Sequence, residues 1–341
     1  TISAVTVLSA LLLLTAALLP AQGAVPKEEE TLTVYAYDSF VSEWGPGPAI
    51  GEAFEEASGI QIEWVSAGDS GQVLQRAIFE RDNPRADIII GIDNNMLAKA
   101  LSADILLPYQ GDKLTELDEK LIFDESRHVI PYDYGYFAII ADTSQVSGEL
   151  PGSLEELADG RFSRQLIIMD PRTSSPGLGF LLWTVARFGE EYLNYWEALK
   201  PSILTITDGW DSGYGLFLAG EAPFVLSYTT SPAYHAEYET AGIYEALIFS
   251  EGHYAQIEGA GILKGTRHPE RAEAFIDFLL GSRAQEVIPL TNWMYPANSS
   301  ILLPDSYAYA PEPEDTLMLT HEFIADNLEK ILDEWTALMS R

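Results

Sequence analysis

Tyr37, Trp44, Trp210, Tyr228, Tyr234 and Trp293 each fall among Gly, Pro, Ser, Thr or Asp, where a strand-like run ends or a helical one begins. Trp183, Phe188 and Phe275 instead sit inside apolar periodic runs and read as core. The face of an aromatic ring attracts a cation by roughly 0.5–2 kcal/mol, more where water is excluded. Several such rings closing on one another suit a flat organic cation better than a sugar or an anion. Taken alone, Tyr37 and Trp44 read equally well as core aromatics beside a capping Asp38.

Other chemistries find little support. The chain has no cysteine, which excludes a thiolate nucleophile, a thiolate zinc site and a lipidated amino-terminal Cys. None of His128, His235, His253, His268 and His321 is spaced as a zinc pair. There is no G-x-S-x-G, P-loop or calcium loop, and Gly45-Pro46-Gly47 lacks the third glycine and the amides of a dinucleotide fingerprint. Asp93 and Asp133 have the form of an acid/base pair, but among 52 Asp and Glu residues helix caps and surface carboxylates weigh more. A net charge of −33 repels nucleic acid and anionic lipid and favours cations at long range. No enzyme is expected, and no nucleic-acid partner.

The elements that must place these rings alternate between strand and helix, which implies an α/β fold with a mostly parallel sheet. Ile60–Val65 and Asp87–Ile90 read as strands, the second stopped by Gly91, and Asp69 or Ser70 is placed to cap the helix that follows the first. Tyr134–Ala141 reads as a strand crossing into a second lobe, and the chain returns near Tyr254–Gly261. Ser153 and Glu156 have capping-box spacing. Leu166–Met169 is a strand leading to Ser174-Ser175-Pro176, where the hydroxyls suit capping and the free amides suit an anion. His321–Met339 reads as a terminal helix. The expected organisation is a signal peptide and linker at 1–30, lobe 1 from 31–138 plus 257–303, lobe 2 from 139–256, and a connector and helix at 304–341. The apolar run Val5–Leu19 before Ala21-Gln22-Gly23-Ala24 is the basis for the signal peptide, hence for export to the periplasm.

Seven segments add a resemblance. Y-D-S-F with W-G-P-G (37–47), G-I-D-N-N (91–95), D-Y-G-Y-F-A (133–138), D-P-R-T-S-S-P-G-L-G (170–179), L-S-Y-T-T-S-P-A-Y (226–234), F-S-E-G-H-Y (249–254) and N-W-M-Y-P (292–296) occur in order. Over roughly residues 31–341 the chain resembles the periplasmic thiamine-binding proteins of bacterial ABC importers. The resemblance implies a two-lobed type II periplasmic-binding-protein fold with the ligand cleft between lobes. It implies thiamine, thiamine monophosphate or thiamine diphosphate as ligand, no cofactor, a monomer, and an inner-membrane ABC permease as partner. It puts Tyr37, Trp44, Trp210, Tyr228, Tyr234 and Trp293 around the ligand's rings. Asp69-Ser70, Ser174-Ser175 and Thr229-Thr230-Ser231-Pro232 match hydrogen-bonding positions, with Ser174-Ser175 as the phosphate seat. Thiazolium is a permanent cation, so the rings are expected to answer it without a buried carboxylate. The family has Gly directly after the aspartate of the first loop, where this chain has Ser70 and then Gly71, and this chain's loop before Pro131 is shorter than the family's. The competing readings are a polyamine or ferric-iron binder, the latter with Tyr132 and Tyr134 or Tyr136, and a thiaminase. The thiaminase reading lacks its cysteine nucleophile.

Overall fold

Residues 31–238 and 241–341 are described by the structure, a computed structural model. The expected signal peptide and linker at 1–30 lie outside the described residues. The strands in chain order are β1 (Thr31–Ala36), β2 (Gln61–Ser66), β3 (Ile88–Asp93), β4 (Leu106–Leu107), β5 (Ile130–Asp142) and β6 (Leu166–Met169). Then follow β7 (Ile203–Thr207), β8 (Phe224–Tyr228), β9 (Tyr244–Leu247), β10 (His253–Leu263), β11 (Tyr295–Pro296) and β12 (Thr316–Leu317). They join in the order β2-β1-β3-β10-β5-β8-β6-β7. β1 runs parallel to β2 and β3, and β6 runs parallel to β7 and β8, while β10 and β5 run antiparallel between the two groups. The fold is therefore two-lobed α/β.

One strand belongs to both halves. Ile130–Tyr136 of β5 pair with β10, and from Phe137 onward the same strand pairs with β8 and β9. The sequence predicts strand only from Tyr134, four residues later than the strand begins. Pro131 is accommodated next to an irregularity: Glu258 pairs with Asp133 and Gly259 with Pro131, so Tyr132 is an extra, bulged residue. Gly91 does not stop β3 as expected. It too is an extra residue, skipped between the pairs Ile92–Gly259 and Ile90–Ala260, and its φ of +99° suits glycine. The two bulges thus fall on either side of Gly259 of β10, Tyr132 opposite the Glu258–Gly259 step and Gly91 opposite the Gly259–Ala260 step.

Helix ends follow the local chemistry. Ser153 accepts from the Glu156 amide, and Asp69 caps Ser70–Phe79 while its own amide donates to Gln72 Oε1 at 3.0 Å. Ser174 caps Ser175–Phe188, an almost wholly buried helix. Trp183 of that helix donates its indole N–H to the Gly252 carbonyl at 3.1 Å. His253 is held as neutral imidazole: Nδ1 donates to the Phe137 carbonyl at 2.7 Å and Nε2 accepts from the Phe249 amide at 2.8 Å. Burial lowers its pKa. The terminal helix His321–Met339 packs on both Leu97–Ser102 and Tyr192–Leu199, with Trp335 edge-on to Trp196 at 5.6 Å, so it ties the two halves together. Among the described residues no helix is long and apolar enough to cross a membrane.

Gly179 lies where a Cβ would collide with the Phe137 ring, which in turn packs on Tyr228 at 5.2 Å. Gly179→Ala is expected to destabilise the fold by about 1–3 kcal/mol through overpacking. The urea-unfolding midpoint measures it, and an unchanged midpoint would show that Phe137 moves without penalty.

Candidate functional site

Each ring of interest projects from the end of an element. Tyr37 follows β1, and Trp44 lies just before the helix Pro46–Ser58, whose N-cap is Gly45. Trp210 opens the helix Trp210–Leu218, Tyr228 ends β8, and Trp293 follows the helix Ile288–Thr291. Ligands in open α/β sheets collect at such strand ends. Trp293 adopts a left-handed backbone (φ +55°), uncommon for a bulky residue, and keeps it through a 3.1 Å bond from its amide to the Ile288 carbonyl. Gly91 sits where a Cβ would meet the Tyr37 ring at 2.6 Å, so the bulge lets that ring lie flat on the β3 backbone.

A cavity between the two halves brings Tyr37, Trp44, Asp69, Ser70, Ser175, Trp210, Tyr228, Ser231 and Trp293 together, with Ser39, Pro176, Glu258, Asn292 and Met294. A neighbouring groove shares Trp44, Trp210, Ser231 and Trp293 and adds Tyr234. Trp44 and Trp210, from opposite halves, have ring centroids 6.4 Å apart, and Tyr234 meets Trp293 edge-on at 5.4 Å. Trp44 is 50% exposed. Trp210 donates its indole N–H to Ser227 Oγ at 2.9 Å, and the Tyr228 hydroxyl donates to Gln256 Oε1 at 2.6 Å. Both rings are thereby fixed in orientation.

Four expected contact residues line neither the cavity nor the groove. Ser174 is buried as a helix cap, and its hydroxyl bonds Asp69. Thr229 and Thr230 are fully buried in the turn after β8, where the Thr229 amide donates to the Tyr136 carbonyl at 2.9 Å. Pro232 is buried in the first turn of the helix Ser231–Tyr238. Thr229, Thr230 and Pro232 turn into the protein where the helix Ser231–Tyr238 packs on the segment Asp305–Tyr309 and on β9.

The anion seat expected at Ser174-Ser175 already faces a carboxylate. Asp69 Oδ1 accepts from the amides of Ser70 at 2.6 Å and Ser175 at 3.4 Å, and Oδ2 accepts from the Trp210 amide at 2.9 Å. One side chain from the first half thus meets the amino ends of two helices in the second, where the helix dipole favours negative charge. Burial raises the Asp69 pKa, and the amides of Trp210 and Ser70 oppose that rise.

Glu258 was not foreseen. It lies on β10 between Asp93 of β3 and Asp133 of β5, its register partners on either side, and all three are buried. Its Oε2 accepts from the hydroxyls of Tyr37 at 2.9 Å and Tyr132 at 3.2 Å. Asn292 Nδ2 donates to Asp133 Oδ2 at 2.6 Å and reaches Glu258 at 3.5 Å. In a regular strand Tyr132 and Asp133 would point to opposite faces; the bulge turns both toward Glu258. Asp93 is satisfied separately, by the amides of Asn95 and Met96 and the side chains of Asn95 and Gln256. Asn292 stood beside Trp293 in a loop already singled out, so its polarity was the available signal. Glu258 had none, since it reads as one acid in a buried run.

The chain matches the model of the bacterial extracellular solute-binding protein family over residues 83–327. It is 41% identical over 333 residues to the thiamine-binding periplasmic protein of Brucella suis, covering 96% of this chain and 98% of that one. It is 39% identical over 310 residues to the thiamine-binding periplasmic protein of Escherichia coli, covering 91% and 94%. Among solved structures, a periplasmic thiamin binding protein superposes with a TM-score of 0.86 at 37% identity, over 91% of this chain and 96% of that one. A ferric binding protein from Campylobacter jejuni gives 0.76 at 19% identity, over 90% and 99%, a likeness of fold alone.

Desolvation raises the pKa of Asp93 to about 6 and of Glu258 to about 7, and pushes Asp133 well above the carboxylate range. A carboxyl whose folded pKa exceeds its unfolded value favours the fold while protonated and opposes it once ionised. The stability of the free protein is therefore expected to decline as pH rises from about 4 through about 7. His253 acts in the opposite sense, favouring the fold as pH rises past its unfolded pKa of about 6.5. Urea midpoints across pH in the parent and in Glu258→Gln check this: the variant should show a shallower decline, and an identical slope would remove Glu258 from the cause.

Proposed function

The chain belongs to the family of bacterial extracellular solute-binding proteins, and we propose that its cleft captures thiamine in the periplasm and delivers it to an inner-membrane ABC permease. The observation behind this reading is the meeting of Trp44, Trp210, Tyr228 and Trp293 at one cavity, in a chain so similar over nearly its whole length to thiamine-binding relatives. A thiazolium between indole and phenol faces gains cation–π attraction from each, and the flat aminopyrimidine gains stacking area. Fixed rings lose little freedom on binding, which favours affinity. The relatives are binding proteins, and we take this chain to bind without altering its ligand, as a monomer and with no cofactor. Release would follow from parting the two halves about β5, with the permease favouring the open form.

Ferric iron fits less well. The paired tyrosines such a site wants are split: Tyr132 bonds Tyr37 and Glu258, whereas Tyr134 stacks on Tyr295 with centroids 5.3 Å apart and Tyr136 packs on the same ring. A polyamine would find few carboxylates along the wall, which among its described residues has Asp69 and Glu258.

Titrating the mature protein with thiamine is expected to quench tryptophan fluorescence, and Trp210→Ala should weaken binding by about 1–3 kcal/mol. Quenching by spermidine and none by thiamine would transfer the assignment to polyamines. For the phosphorylated ligands, Asp69→Asn removes a charge from the place a phosphate would take. Calorimetry should show its affinity for thiamine diphosphate rising relative to thiamine, and an unchanged ratio would place the phosphate elsewhere.

A further inference from the structure

The pair Asp133–Glu258 has a partner on every side except the one that matters electrostatically. Its donors are all neutral: Tyr37, Tyr132 and Asn292. Among the described residues neither acid forms an ion pair with Lys, Arg or His. Oδ1 of Asp133, fully buried, has no N–H or O–H donor among them either, and the two acids are close enough to hydrogen-bond each other. Burying an ionised carboxylate without a countercharge costs several kcal/mol. Glu258 is also on the wall of the aromatic cavity, beside Tyr37, Asn292 and Trp293.

We propose that Glu258, backed by Asp133, is the specificity determinant for the ligand's positive charge: in the free protein both acids are protonated, and Glu258 gives its proton up to solvent when the cation enters, while Asp133 keeps its own. This rests on the thiamine reading and adds to it an acidic end opposite the rings. The ligand's positive charge then supplies the countercharge that the fold withholds. A neutral molecule of the same shape leaves the pair protonated and gains only the stacking.

The groups facing Glu258 supply no countercharge of their own, so its proton is retained until a cation enters. Tyr37 approaches from the end of β1, Asp93 from β3, Tyr132 and Asp133 from β5 and Tyr228 from β8, all acidic or phenolic, with Asn292 the neutral amide among them. Burial, with repulsion from Asp93, holds the Glu258 pKa near 7 against the hydrogen bonds from Tyr37 and Asp133, within reach of physiological pH. Asp93 adds repulsion, but its four donors keep it out of the exchange.

Isothermal titration calorimetry with thiamine, in buffers of different ionisation enthalpy at pH 6.5 to 8.5, tests this on the full mature protein. The parent should release a proton at the acid end of the range, with release fading as pH rises. Its affinity should fall toward tenfold per pH unit once the pH is well below the pKa of Glu258. Glu258→Gln should bind thiamine roughly 30-fold more weakly and release no proton. Asp133→Asn should bind with a shifted pH midpoint, which serves if Glu258→Gln fails to fold. Tight thiamine binding without proton release and without pH dependence in the parent would overturn the proposal and leave the thiamine reading standing. No thiamine binding at any pH would overturn both.

Discussion

A carboxylate held out of water, with no basic residue paired to it among the described residues, governs the cleft. Glu258 sits in the centre of a sheet, on a strand every residue of which is buried. Phenol and amide groups can bond it but cannot neutralise it, so its charge must be either suppressed by a proton or met by something that enters. The flanking bulges at Gly91 and Tyr132 serve this arrangement. One lets Tyr37 lie against β3, and the other brings two successive residues of β5 to the same acid. Local irregularity in an otherwise regular sheet is where the chemistry of this protein is concentrated.

Asp69 solves the opposite problem. It too is a buried acid, but backbone amides of two helices in the second half surround it, and these offer partial positive charge that is part of the fold. Asp69 therefore acts across the cleft as a contact between halves, whereas Glu258 acts into it. The rings are divided in the same way. Trp44, Tyr37 and Trp293 come with the sheet of Glu258, Trp210 and Tyr228 with the other, and β5 runs through both. Bending where β5 changes partners, between Tyr136 and Phe137, would separate the rings without disturbing either sheet.

Much of this was legible in the sequence because the signal is local. Leu166–Met169 and His321–Met339 match their observed ranges, since apolar periodicity and Thr320 as cap act within a few residues. The caps at Asp69, Ser153 and Ser174 follow for the same reason. The loop position of the rings foretold that Tyr37, Trp44, Trp210, Tyr228 and Trp293 would share a cavity. What stayed hidden depends on pairing between distant strands. Gly91 reads as a strand stop until β10 is seen to skip it, and the first residues of β5 go unread as strand until Tyr132 is seen to bulge. Glu258 is one acid among many until register sets it between Asp93 and Asp133. The hydroxyls of Ser174, Thr229 and Thr230 have the right chemistry for a ligand, but which way a turn faces depends on what the helix after it packs against.

The most direct test of the account is a crystal structure of the protein with thiamine. The account predicts the thiazolium ring within about 6 Å of the Trp44, Trp210 or Trp293 ring centroids, with Glu258 lining the same cavity and no lysine or arginine moved in to pair it. Thiamine bound outside the cavity, or bound there with Glu258 swung away to a basic partner, would contradict it.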